Sequence, residues 1–178
     1  PIRQVYSNEK LKVADSSKFD YCHQGQNWQW RDRVNMTVLS PKTENLAYAN
    51  AEKNEMSCVI YLQVKNAQPY QNFLLMGDAG WQTEYQILQD YPDLKVDVLV
   101  LGHHGSRHSS AYAFLKQLNP KIVIASAGFH NRYGHPSKMT LQRLGQLDIP
   151  VLSTVQQGSI QFSRQANGQM QLQYAREQ

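Results

Sequence analysis

The sequence predicts an α/β protein in which a mixed β-sheet is layered with helices. Three observations lead there. The early part of the chain alternates apolar and polar residues in short segments, as half-buried antiparallel strands do. The middle carries near-continuous apolar runs, 96–101 and 121–126, each followed by helical spacing. The chain then closes on short alternating segments joined by turn residues.

Taken in order, residues 1–27 are polar and irregular, and 28–178 form the predicted domain. In residues 28–39, Trp28, Trp30, Val34, Met36 and Val38 alternate with polar residues, which reads as a hairpin with Arg31, Asp32 and Arg33 at the turn. Residues 40–55 read as a polar loop. The runs 57–64 and 72–76 are strands that pair across a turn at 66–70. Helical spacing over 83–90 sets Tyr85, Leu88 and Tyr91 on one face. Ser109 is placed to cap a helix over 111–118, and Ser137 one over 138–147. Short strands follow at 151–153 and 159–162. Residues 170–174 make a closing edge strand after an Asn167-Gly168 turn.

At 178 residues the chain has the length of one domain. No apolar run reaches the length of a membrane span, and no signal peptide is visible. The first residue is Pro1, which leads us to expect a piece of something longer. The net charge is +4 without a dense basic run. That is compatible with an anionic ligand such as nucleic acid, and equally with a solvated basic surface. Cys22 and Cys58 are the only cysteines, and their spacing excludes a zinc ribbon. They could form one disulfide outside the cytoplasm or remain two small apolar side chains.

The chemistry-bearing residues follow apolar strands. Asp78 comes after Leu74, Leu75, Met76 and Gly77, where Gly77 lets the chain turn sharply at the sheet rim. Asp78 could cap the next helix, or it could bind a cation. His103 and His104 end the 96–101 run and precede Gly105 and Ser106. Packing does not call for two adjacent titratable rings, whereas neutral imidazole is the commonest zinc ligand. In extended geometry neighbouring side chains point to opposite faces, so only one of the two would reach a given metal. Ser106 could donate to an anion. Asn131, Tyr133 and His135 lie in the loop after the 121–126 run, where α/β folds gather function, and could bind phosphate or pass a proton. That loop could also serve only to lead Pro136 into the next helix. His108 and His130 read as exposed non-ligands, and His23 as a surface residue. No nucleotide-binding glycine loop, nucleophile elbow or zinc finger is present.

Several segments, taken together and in order, resemble the C-terminal half of a metallo-β-lactamase-fold domain. They are Cys22 to Trp30, Asn54 to Val59, Leu74 to Asp78, Val96 to Ser106 and Asn131 to Pro136. The version they resemble most is that of the ComEC-like competence proteins, the DNA-uptake channels of transformable bacteria. The resemblance covers residues 22–174. It implies a partial α/β/β/α sandwich with two divalent metal ions, zinc or manganese, at one edge. It implies that Asp78 bridges the ions, that His103 or His104 is a ligand, and that His135 stands nearby as a substrate or proton-transfer residue. It places the domain on the extracytoplasmic side of the bacterial inner membrane, joined to the membrane channel of the same polypeptide.

The chain departs from that family in lacking the His-x-Asp-x-Asp-His cluster of the first half. Catalytic zinc takes at least three protein ligands, so the chain alone is expected to hold metal weakly and to be inactive. The uncovered sheet face is expected to favour a homodimer. Three functions follow from these residues: a metal-dependent phosphodiester hydrolase acting on DNA, a non-catalytic module that binds single-stranded DNA through Trp28, Trp30 and Tyr133, or a hydrolase of the same fold acting on a phosphorylcholine ester or lactone.

Overall fold

A computed structural model describes residues 2–12, 17–43 and 53–176. Most of the loop read at 40–55 lies outside them. Seven strands stand side by side in chain order: β3 (Asn27–Trp30), β4 (Val34–Ser40), β5 (Val59–Val64), β6 (Asn72–Leu75), β7 (Val98–Val100), β8 (Ile122–Ala125) and β9 (Val151–Ser153). β3 to β6 pair antiparallel. β6 to β9 pair parallel. Parallel neighbours need crossovers, and these are the helices α1 (Trp81–Asp90), α2 (Tyr112–Leu118) and α3 (Lys138–Gln146). The sheet is therefore mixed and layered with helices, as the sequence predicts.

Register sorts the side chains. Leu74, Leu99 and Val123 sit opposite one another across β6, β7 and β8. They meet Ile87, Phe114, Leu115 and Leu144 from the helices in the main core. The residues one step back, Phe73, Val98 and Ile122, face the other way. A hairpin of β10 (Ile160–Arg164) and β11 (Met170–Tyr174) covers them with Ile160, Phe162 and Leu172. Phe162 meets Phe73 edge-on at 5.1 Å. This double coverage explains why 96–101 and 121–126 are continuous apolar runs. The hairpin stops short of the antiparallel strands. On that face Trp30 is 62% exposed and Leu75 36%.

The segment 1–27 departs from its irregular reading. β1 (Gln4–Ser7) and β2 (Lys18–Tyr21) pair in parallel. Four-residue strands carry too little periodicity to be seen in sequence. Tyr6 packs edge-on against Trp28 at 4.7 Å, which docks the pair on the sheet. Cys22 and Cys58 form a disulfide with Cα atoms 6.0 Å apart, settling the alternative the sequence left open.

Two helix assignments also need correcting. The buried side chains of α1 are Thr83, Glu84 and Ile87, while Tyr85 is 67% exposed. Leu88 and Tyr91 do pack against the main core, so of the expected stripe only Tyr85 falls on the solvent side. Nor does Ser109 cap α2. Its hydroxyl donates to the carbonyls of Gly102, at 2.7 Å, and Ser106, at 3.1 Å. The cap comes from Glu84, whose carboxylate accepts the Ser110 N–H and, at 2.8 Å, the Ala111 N–H. Glu55 does the same for α1, accepting the Thr83 N–H at 2.8 Å and the Thr83 hydroxyl at 2.6 Å. α3 follows the local rule, with the Ser137 hydroxyl accepting the Thr140 N–H at 3.2 Å. One further short helix, α4 (Thr154–Gln157), escaped the sequence reading.

Two tests follow. The disulfide bridges a sequence separation of 36 and should contribute about 2–4 kcal/mol. Reduction, or a Cys22→Ser/Cys58→Ser double variant, is expected to lower the melting temperature; an unchanged melt would show that the bridge holds nothing. Burial pushes the Glu84 carboxyl from 4.5 up to about 7, against the pull of the Ala111 and Ser110 N–H groups. The folded chain then binds this proton more tightly than the unfolded one. The Glu84 contribution is complete below pH 4.5 and is lost as pH climbs through about 7. The loss is on the order of 3 kcal/mol. Melts between pH 4.5 and 7.5 are expected to fall more gently in Glu84→Gln, which cannot titrate.

Candidate metal site

Three loops leave the C-terminal ends of β6, β7 and β8 on one rim of the sheet. The first carries Asp78, the second His103 to Ser106, the third residues 126–136. Backbone bonds tie them together. The His103 N–H donates to the Gly77 carbonyl at 2.9 Å, and the Ser137 N–H to the Gly105 carbonyl at 2.8 Å. Two glycines permit this approach. A Cβ on Gly102 would run into the Ala79 carbonyl. Gly105 has φ +82°, and a Cβ there would lie 2.8 Å from the Pro136 Cβ.

The histidine pair is not extended. His103 has φ 46° and ψ 45°, and His104 φ 58° and ψ 18°, both left-handed. The expected alternation therefore fails, and the two rings lie 6.3 Å apart. Left-handed backbone costs a non-glycine residue about 1–2 kcal/mol. Two in succession at titratable residues is the kind of strain that collects at functional sites.

The rings have different partners. His104 Nδ1 lies 2.7 Å from the Ser126 carbonyl oxygen, which can only accept. Nδ1 must then carry the proton, leaving the lone pair on Nε2. Nε2 faces Asp78 Oδ1 at 3.6 Å. Both side chains are about half exposed. Asp78 is held from behind, its N–H donating to the Ser57 hydroxyl at 3.1 Å. His103 instead turns Nδ1 toward the Asn54 side-chain amide at 3.3 Å. His103 lies 5.8 Å from the His135 ring. His135 stacks on Tyr133 at 5.7 Å and keeps a buried Nδ1 without a partner. Burial first, and then the neighbouring His103 and His104, hold its pKa below 6.5, so the neutral ring is favoured.

Asp78, His103, His104 and His135 thus gather on one rim, with Tyr133 beside them. Ser106 and Asn131 have partners within the chain. Ser106 is 4% exposed, and its hydroxyl accepts the His108 N–H at 3.3 Å. Asn131 spends its amide on its own loop. It accepts the His135 N–H at 2.7 Å and donates to the carbonyls of His135, at 2.8 Å, and Gly128, at 3.0 Å. His108 and His130 are exposed. Sequence reasoning missed Asn54, Ser57 and the Ser126 carbonyl. The last is backbone and leaves no signal in the sequence.

Comparison with known proteins places the chain. No family model matches it. It is 39% identical over 125 residues to ComE operon protein 3 of Bacillus subtilis, a match covering 70% of this chain and 15% of that protein. It is 35% identical over 138 residues to competence protein ComA of Neisseria gonorrhoeae, covering 77% of this chain and 19% of that one. The chain is homologous to a segment of the ComEC-type competence proteins. It spans about a fifth or less of the length of these curated relatives. A solved structure, the "Putative metal-dependent hydrolase" of Parabacteroides distasonis, matches with a TM-score of 0.47 and 14% identity over 76% of this chain and 57% of the other. At that distance the likeness says nothing about chemistry.

This ComEC-type segment fits part of a metal shell. Donors about 2.1 Å from one tetrahedral ion stand roughly 3.4 Å apart. The 3.6 Å between His104 Nε2 and Asp78 Oδ1 is close to that. Among the described residues, no group of three or more His, Cys, Asp or Glu side chains is placed to hold an ion. The pair would supply two ligands, fewer than a catalytic centre needs.

Proposed function

We propose that this chain is part of a metal-dependent phosphodiesterase that acts on DNA during competence, and that it contributes a late portion of the metal shell. One observation carries the reading: His104 has its proton fixed by Ser126 and its free nitrogen aimed at Asp78 across 3.6 Å. Kinship to competence proteins supports DNA as the substrate, as does the net charge of +4.

Divalent cations bound there would lower the pKa of a water and stabilise the leaving oxygen. The chain's own residues do the rest. Asp78 provides two carboxylate oxygens beyond the tip of β6, and the Ser57 hydroxyl holds its backbone N–H. His104 presents Nε2 in a fixed tautomer. Neutral His135 offers a ring able to take up a proton, and Tyr133 stacked on it limits how the ring turns. The remaining ligands would come from other parts of the longer protein. The disulfide supports an extracytoplasmic setting, since such bonds persist in oxidising compartments. No helix among the described residues is long and apolar enough to cross a membrane.

Among the described residues no third donor joins Asp78 and His104, which favours a second reading, a module that binds single-stranded DNA without cutting it. One experiment separates the two. Metal content by mass spectrometry, and manganese- or zinc-dependent cleavage of single-stranded DNA, are measured for the chain and for a version extended upstream. The extended protein is expected to hold metal and cut. Asp78→Ala or His104→Ala in it is expected to lower metal affinity at least ten-fold and to abolish cutting. DNA binding with neither metal nor cleavage in either protein would leave the binding module.

A further inference from the structure

Asp78 and His103 line one side of an open cleft of about 400 Å³ that extends to Trp81. Trp81, at the first turn of α1, lines it and is 45% exposed. The indole is held in place. The Arg143 guanidinium lies over its ring, 5.5 Å from the centre. Arg143 is itself fixed by the carbonyls of Arg107, Ser109 and Ser110, at 3.4, 3.0 and 3.3 Å. The His108 ring meets the indole edge-on at 5.9 Å. With Arg143 over one face and His108 against the ring, 45% of the Trp81 side chain still remains exposed. His108 lines the cleft, and the exposed Arg107 next to it in the chain donates from Nε to His108 Nε2 at 3.0 Å. Of the two carboxylates in the cleft, Glu55 is engaged by Thr83 and Asp78 belongs to the metal site.

We propose that this cleft binds one nucleotide of a single-stranded nucleic acid, its base stacked on Trp81 and its phosphate met by Arg107. A flat, pre-oriented aromatic with a cation bonded to its His108 neighbour matches a base joined to a phosphate, and it does not select among bases. The base must be free of its duplex partner to reach the indole, which makes the ligand single-stranded. The assignment deepens the phosphodiesterase reading and rests on it: a base seated here brings the adjacent phosphodiester toward Asp78 and His104.

The test compares a fluorescent twelve-residue oligo(dT) with an abasic oligonucleotide of equal length and charge, by anisotropy at low salt on the 178-residue chain. Wild type is expected to prefer oligo(dT) about ten-fold, the scale of one base–aromatic stack. Trp81→Ala is expected to remove the preference and Trp81→Phe to keep most of it. Tyr85→Ala, exposed on the same helix, is expected to change nothing. Arg107→Gln is expected to weaken both ligands alike and to reduce the salt slope by about one. A base preference that survives in Trp81→Ala, or is absent from wild type, overturns the assignment. If the cleavage that depends on Asp78 persists beside that result, only the cleft is wrong. Failure to bind either oligonucleotide, together with no cleavage by the extended protein, overturns both readings.

Discussion

The Glu84 carboxylate is the contact on which the functional rim depends. It sits in the core at 1% exposure and takes the N–H groups of Ser110 and Ala111, the open end of α2. A buried carboxylate is costly unless its oxygens are satisfied. Here the cost is offset by a helix end that would otherwise be buried unpaired. The result is a fixed distance between α1 and the start of α2. The segment from Gly102 to Ser110 is stretched between β7 and that point. Arg143 on α3 grips the carbonyls of the same turn from the other side. The left-handed histidines can persist because both ends of their loop are held.

Two further constraints convert that clamp into a site. Parallel pairing of β6, β7 and β8 puts three C-terminal strand ends on one edge. Gly102 and Gly105 then let the three loops close to backbone contact. A side chain at either position would push Asp78, the histidine pair and the 126–136 loop apart by the width of a methyl group. The Ser126 carbonyl reaches His104 because of that closeness. Site and packing are therefore one construction: the spacing that seals the core also sets the 3.6 Å between His104 and Asp78.

Much of this was readable from the chain. Apolar runs with little alternation mark doubly covered strands, so β7 and β8 were visible, as was the hairpin of β3 and β4. Asp78, His103, His104 and His135 were visible because polar residues that end such strands must lie on the rim. What escaped was whatever depends on distant partners. Ser109 looked like a cap because a helix start is judged from its own neighbours, while the true cap is 26 residues earlier in sequence. Glu84 was passed over on α1 for the same reason, since a glutamate reads as a surface residue until its partners are known. The histidine alternation failed because the backbone leaves the β region after Leu101, a change that glycines on either side permit but do not dictate. The Cys22–Cys58 bridge could not be decided from two cysteines alone.

Two deficits coincide in position. The face of the sheet opposite the helices is covered by β10 and β11 over the parallel strands and touched by Tyr6 of β1 at Trp28. Beyond the hairpin, Leu75 remains 36% exposed at the last position of β6. Asp78 is three residues further on, at the same end of the strand. Among the described residues the donor set at Asp78 also stops short, with two donors converging where a catalytic ion needs at least three.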